Sequence, residues 1–127
     1  MKKVLIVDDD QALLDVLEVS LQYSKYDVKT VGLCPDIFEL IATYQPDIVI
    51  LDYVLSGTNG GEMCYQIKTN PETSHLPVII ITAYPKKLDS SGTFLSNAIL
   101  PKPFDLSELL FTIDSCLSNP SATLKKH

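Results

Sequence analysis

Residues 4–10 read VLIVDDD. Four apolar residues, three of them β-branched, stop abruptly at three aspartates. The run is too short for a helix and does not alternate apolar with polar, so it reads as a strand buried on both faces of a parallel sheet. The same signature recurs at residues 48–51 (IVIL) before Asp52, at 78–81 (VIII) before Thr82, and more weakly at 98–100 (AIL) shortly before Lys102. A further strand is expected at Val28 to Val31.

Between these runs the apolar spacing changes to a helical period. Leu13, Leu14, Leu17 and Leu21 make one stripe, and Ile37, Leu40, Ile41 and Tyr44 a second. Met63, Cys64 and Ile67 make a third, opened by Gly60 and Gly61, and Leu106, Leu109, Leu110, Ile113 and Leu117 the last. Asp105 with Glu108 three residues on is a capping-box pattern that starts this last helix. The interval from Thr82 to Ile99 is poor in apolar residues, so a fourth helix there is expected to be short or irregular. Strands alternating with helices imply right-handed crossovers and an open, doubly wound α/β sheet covered on both faces. Ligands of such sheets bind at the carboxyl ends of the strands, where strand order reverses.

A chain of 127 residues with 46% hydrophobic and 20% charged side chains can bury about two thirds of its surface, which suits one core and excludes a multidomain enzyme or a disordered chain. We expect one domain over residues 1–118 and a small, polar tail over 119–127 that frays. Sixteen acidic against ten basic residues leave a net charge of -6, which argues against direct binding to nucleic acid phosphates or anionic lipid. The apolar run behind Met1, Lys2 and Lys3 is too short for a signal peptide, and no stretch suits a membrane span. Cys34, Cys64 and Cys116 are odd in number and lack metal-type spacing, so they read as buried hydrophobes of a protein in a reducing, cytoplasmic compartment. Tyr23, Tyr26, Tyr44 and Tyr65 read as packing residues, and His75 stands alone in a polar loop.

The residues that follow the apolar runs are Asp8, Asp9, Asp10, Asp52, Thr82 and Lys102, all converging on one sheet edge. A single Asp after a strand is an ordinary helix cap, which is how Asp10 reads. Three carboxylates in one pocket repel each other and need a cation or protons in compensation. A site of carboxylates and backbone carbonyls without His or Cys suits a hard divalent ion such as Mg²⁺.

Taken in order, VLIVDDD, PDIVILD (46–52), LPVIIITA (76–83) and LPKPF (100–104) resemble the receiver domain of two-component response regulators from Lys3 to about Leu117. The resemblance implies a flavodoxin-like, five-stranded parallel sheet of order 2-1-3-4-5. It implies that Asp52 accepts a phosphoryl group, that Asp8, Asp9 and Asp52 hold Mg²⁺ with the backbone carbonyl of Val54, that Thr82 contacts the phosphoryl group, and that Lys102 pairs with it. The peptide bond from Lys102 to Pro103 is cis in the family. The donor would be a histidine kinase or histidine phosphotransfer protein, and the modified form would signal by changing its binding to a downstream protein. Such a domain is a phosphoacceptor rather than an enzyme, although it assists its own phosphorylation and dephosphorylation. In receivers, water reaches the acyl phosphate past two side chains, here Val54 and Tyr84. Tyr84 is expected to cover the approach.

The pattern departs from the family in three places. Ser56 replaces the usual Pro, Asn59-Gly60 replaces Asp-Gly, which suggests a more mobile loop, and Ile99 stands where an aromatic ring usually completes the switch. Two alternatives stay open at this level. Asp8-x-Asp10 also resembles the nucleophile and acid pair of haloacid-dehalogenase-type phosphatases, although no residues remain for a substrate-covering cap and Asp9 and Asp52 would be left unexplained. A pseudo-receiver would keep the fold without the chemistry, against which all five polar positions are retained.

Overall fold

The computed structural model describes residues 1–33, 36–55, 58–85, 94–119 and 124–125. In chain order the elements are β1 (Lys3–Val7), α1 (Gln11–Tyr23), β2 (Asp27–Val31), α2 (Ile37–Tyr44), β3 (Ile48–Asp52), β4 (Val54–Leu55), β5 (Thr58–Asn59), α3 (Gly60–Thr69), β6 (Val78–Thr82), β7 (Ala98–Pro101), α4 (Leu106–Ser118) and β8 (Leu124–Lys125). The main sheet has the order β2-β1-β3-β6-β7-β8, and every pair of neighbours is parallel. Its five long strands therefore follow the expected order 2-1-3-4-5, with β6 and β7 as the fourth and fifth.

The unbroken apolar runs are explained by two cores, one on each sheet face. Val4, Ile6, Ile48, Ile50, Ile79 and Ile81 pack against Leu14, Leu17 and Leu21 of α1 and Leu109 and Ile113 of α4. Their sequence neighbours Leu5, Val7, Val49, Leu51, Val78 and Ile80 pack against Ile37 and Ile41 of α2 and Met63, Cys64 and Ile67 of α3. Side chains alternate across a strand, so a strand covered on both faces must be apolar at every position. Each such side chain contributes about 1.5–3 kcal/mol through burial.

The helix starts follow their caps. Asp10 accepts the Leu13 N–H, Asp36 those of Phe38 and Glu39, and Asn59 those of Gly61 and Glu62. Asp105 and Glu108 form the expected reciprocal capping box at α4. Cys64 and Cys116 are buried, and burial pushes their thiols up to about 12 and about 11. Cys34 lies outside the described residues.

The structure corrects two expectations. The tail does not simply fray, because Leu124 and Lys125 pair with Ala98 and Ile99 as a parallel strand. Without it β7 would present unpaired backbone groups at the sheet edge, an opportunity that polar composition does not reveal. Tyr23 and Tyr65 are exposed rather than packed, whereas Tyr44 lies against the second core and donates its hydroxyl proton to Asp27. On either side of residues 56–57, Val54 pairs with Asn59 and Leu55 with Thr58 as antiparallel strands. Ser56, and most of the stretch where a short fourth helix was expected (86–93), lie outside the described residues.

One polar node holds the amino-terminal edge of β6 and β7. Buried Asn97 accepts both the Val78 N–H and the Lys68 ammonium through Oδ1, each at 3.0 Å. Replacing Asn97 with Ala leaves a buried donor unsatisfied and should lower unfolding free energy by about 2 kcal/mol in a urea titration. A loss below about 0.5 kcal/mol, the range of an ordinary surface substitution, would show that the node is not needed.

Candidate phosphoacceptor site

The register of the parallel strands assembles the site. Val7 pairs with Leu51, so Asp8 stands level with Asp52 across the β1–β3 pair. Asp52 pairs with Ile81, and Thr82 with Pro101, which brings Thr82 and Lys102 to the same carboxyl edge. The sheet grows outward in opposite directions from β1 and β3, so this edge is the switch point where ligands of such sheets bind.

Carboxylate oxygens of Asp8, Asp9 and Asp52 lie within 4.8 Å of one another. Two full negative charges at that range repel by at least about 3 kcal/mol at an effective dielectric of about 20. The Lys102 ammonium offsets part of this. It sits 3.0 Å from buried Asp8 and 3.6 Å from Asp52, so its closer partner is Asp8. The Lys102–Pro103 peptide bond is cis. With all three carboxylates ionised, one ammonium leaves two negative charges, the charge of one divalent cation. The donor set is oxygen alone, which fits Mg²⁺.

Asp52 is held above the ordinary carboxylate range, chiefly by burial and then by the negative charge of Asp8. The Lys102 cation and a hydrogen bond from the Val54 backbone pull the other way. This N–H contact went unread in the sequence, where only the Val54 carbonyl was considered. The Val54 side chain is exposed, as is Tyr84. Thr82 is buried, and its Oγ1 accepts the Tyr84 N–H at 2.9 Å. Asp10 stays out of the cluster and caps α1, taking its own N–H bond to Asp8 at 2.9 Å.

The loop behind Asp52 closes tightly. Gly60 donates its N–H to the Tyr53 carbonyl at 2.8 Å, and a Cβ at residue 60 would stand 1.9 Å from the Asp52 carbonyl oxygen. Only glycine lets α3 begin this close to the end of β3. Asn59-Gly60-Gly61 could have been read as a cap followed by a close approach, but the partner of that approach is set only by the fold.

Residues 4–114 match the family of response regulator receiver domains. Over 119 residues the chain is 32% identical to the DNA-binding dual master transcriptional regulator RpaA of Synechocystis, an alignment that covers 92% of this chain and 49% of that protein. The chain thus spans about half the length of that relative. Among solved structures, a putative response regulator from Chloroflexus aurantiacus superposes with a TM-score of 0.85 at 28% identity, covering 93% of this chain and 98% of the other. The response regulator TrrA of Thermotoga maritima, in complex with Mg²⁺ and BeF, superposes with a TM-score of 0.80 at 24% identity, covering 91% and 98%.

The raised affinity of Asp52 for its proton has a consequence for stability. A carboxyl that binds its proton more tightly in the folded state favours folding below its unfolded pKa, and that contribution is lost as pH rises through the raised folded value. In Mg²⁺-free buffer at pH 7, Asp52→Asn should therefore have a higher urea midpoint than wild type. The gap should close as pH falls towards about 4. A variant no more stable than wild type at pH 7 would mean that Lys102 already cancels the repulsion.

Proposed function

The chain belongs to the response regulator receiver domain family, and on that premise we propose that Asp52 is its phosphoacceptor, charged by a histidine kinase or histidine phosphotransfer protein. The observation that carries this reading is the convergence of three carboxylates and the Lys102 ammonium at the sheet's switch point. Asp8, Asp9 and Asp52, with the backbone carbonyl of Val54, would hold Mg²⁺. Bound there, Mg²⁺ would neutralise the pocket and screen the incoming phosphoryl oxygens. The Mg²⁺–BeF complex of the Thermotoga maritima relative supports the choice of ion.

Asp52 attacks the donor phosphorus through one carboxylate oxygen. An O–P bond forms as the donor's N–P bond breaks, and the donor imidazole leaves with the electron pair. A carboxylate is a weak nucleophile, so the gain comes from in-line positioning and charge compensation around a loose transition state. Lys102 starts on Asp8, with Asp52 0.6 Å farther away, so a modest swing takes its ammonium to the new phosphoryl oxygens. Thr82 already accepts the Tyr84 N–H, and its own proton can turn towards a phosphoryl oxygen, making its rotamer a report of the modification.

The receiver domain is taken as residues 1–118, with 119–127 as its tail. Signalling proceeds by altered binding to a downstream protein, in the cytoplasm. RpaA is named as DNA-binding and is about twice as long, whereas this chain carries a net charge of -6, so we assign any hold on DNA to another segment or to a partner. Among the described residues no helix is long and apolar enough to cross a membrane.

Treatment with acetyl phosphate should add one phosphoryl mass to wild type only when Mg²⁺ is present, and none to Asp52→Asn, as read by intact mass spectrometry. Full labelling of the variant, or a label mapped to Asp8, would overturn the assignment in favour of phosphatase-type chemistry.

Lifetime is a separate matter. Neither Val54, with no side-chain polar group, nor Tyr84, whose hydroxyl ends a bulky ring, is suited to position an attacking water, so the acyl phosphate should be long-lived for a receiver. Val54→Asn combined with Tyr84→Glu should speed loss of label by about 10²-fold, the scale of general-base or positioning help. An unchanged rate would place control of lifetime elsewhere.

A further inference from the structure

Ile99 supplies no ring for the switch, but an aromatic contact next to the acceptor exists elsewhere. Tyr53 directly follows Asp52. Its N–H donates to Ile81 and its carbonyl accepts from Gly60, so its backbone moves with the acceptor loop. Its ring lies 6.0 Å from the ring of Phe94, tilted by 48°. Phe94 in turn rests on bare backbone. A Cβ built at Gly61, in the first turn of α3, would come within 2.7 Å of two Phe94 ring carbons. The Cys64 thiol also donates to the Phe94 carbonyl at 3.3 Å. Burial keeps that thiol protonated and able to donate.

The next residue is strained. Leu95 has a φ of 63°, in the left-handed region that non-glycine residues avoid, and its side chain is exposed. Two residues further on, Asn97 is locked to Val78 and Lys68, and β7 begins at Ala98. Two residues, Leu95 in an unfavourable conformation and Ser96, thus separate the two anchored ones. The left-handed backbone at Leu95 lies directly between the seated Phe94 ring and the Asn97 anchor. Once Phe94 leaves its seat, Leu95 can relax, so the pair has two discrete arrangements.

We propose that Phe94 is a latch that reports the state of Asp52: it is seated on Gly61 and Tyr53 in the unmodified protein and released when the acceptor is phosphorylated. The inference rests on Asp52 being the acceptor. New charge and volume at Asp52 bear on Tyr53, whose ring faces Phe94 and whose carbonyl accepts the Gly60 N–H, so a shift of Tyr53 reaches the Phe94 ring directly and its Gly61 seat through Gly60. Release frees residues 94–97, which lead into β7, and carries the signal there without a ring at position 99.

The test uses the full chain treated with acetyl phosphate and Mg²⁺, reading intact mass and amide hydrogen exchange on the same samples. Wild type should gain one phosphoryl mass and lose protection at residues 94–97 by roughly tenfold, the scale of one left-handed residue relaxing. Gly61→Ala, whose methyl enters the Phe94 ring, should show that low protection before treatment while still accepting the phosphoryl group. Leu95→Gly removes the strain without touching the seat, and its loss of protection on phosphorylation should be several-fold smaller than in wild type. A full mass gain with unchanged protection at 94–97 in wild type overturns the latch and leaves the acceptor standing. An undiminished loss of protection in Leu95→Gly also overturns it. Absence of the mass gain in wild type overturns the acceptor reading, and the latch with it.

Discussion

Three carboxylates share one ammonium at the carboxyl edge of the sheet, and much else in the molecule follows from that imbalance. Lys102 reaches Asp8 at 3.0 Å and Asp52 at 3.6 Å and compensates both incompletely. The remaining two negative charges make the pocket attractive to a divalent cation and unfavourable when empty of one. Burial, and then the same repulsion from Asp8, raises the proton affinity of Asp52. A site organised this way holds unfavourable electrostatics, and a cation held there, or a phosphoryl group on Asp52 as proposed, would redistribute a single lysine.

Such a cluster holds together only because the strands beneath it cannot slip. Every residue of β1 from Val4 and of β3 up to Leu51 is buried, with neighbours divided between the two cores. A one-residue shift in register would exchange the side chains facing α1 and α4 with those facing α2 and α3, and would move Asp8 out of line with Asp52. Packing on two faces thus fixes the distances between charges that repel each other.

Two glycines at the start of α3 extend these contacts outward. Gly60 lets α3 start against the Asp52 carbonyl, and Gly61 leaves a bare surface on which Phe94 lies. These adjacent glycines act for different reasons: one admits a backbone oxygen, the other an aromatic ring. The second arrangement links Tyr53, the neighbour of Asp52, to the residues entering β7 through the ring of Phe94. It offers a route for a state change in a chain that carries Ile99 where receivers usually carry an aromatic ring.

By itself the sequence determined the five long strands, the four described helices and which polar residues end the strands at one sheet edge. Runs such as Val78 to Ile81 are apolar at every position because both faces are covered, and periodicity reports burial directly. Asp10 and Asp105 announce their helices because a cap is a local interaction. Asp8, Asp9, Asp52, Thr82 and Lys102 were legible because each sits at a strand end, where apolar gives way to polar. Only the tertiary structure decided what depends on contacts between distant segments: that Lys102 favours Asp8 over Asp52, that Val54 donates its N–H to Asp52, that the tail pairs with β7, and that Phe94 settles on Gly61. Residue type and spacing encode what a segment buries and where it turns. They do not encode which of two carboxylates an ammonium will face, or which glycine will receive a ring, because those choices rest on distances of a few tenths of an ångström set by the packing of the whole chain.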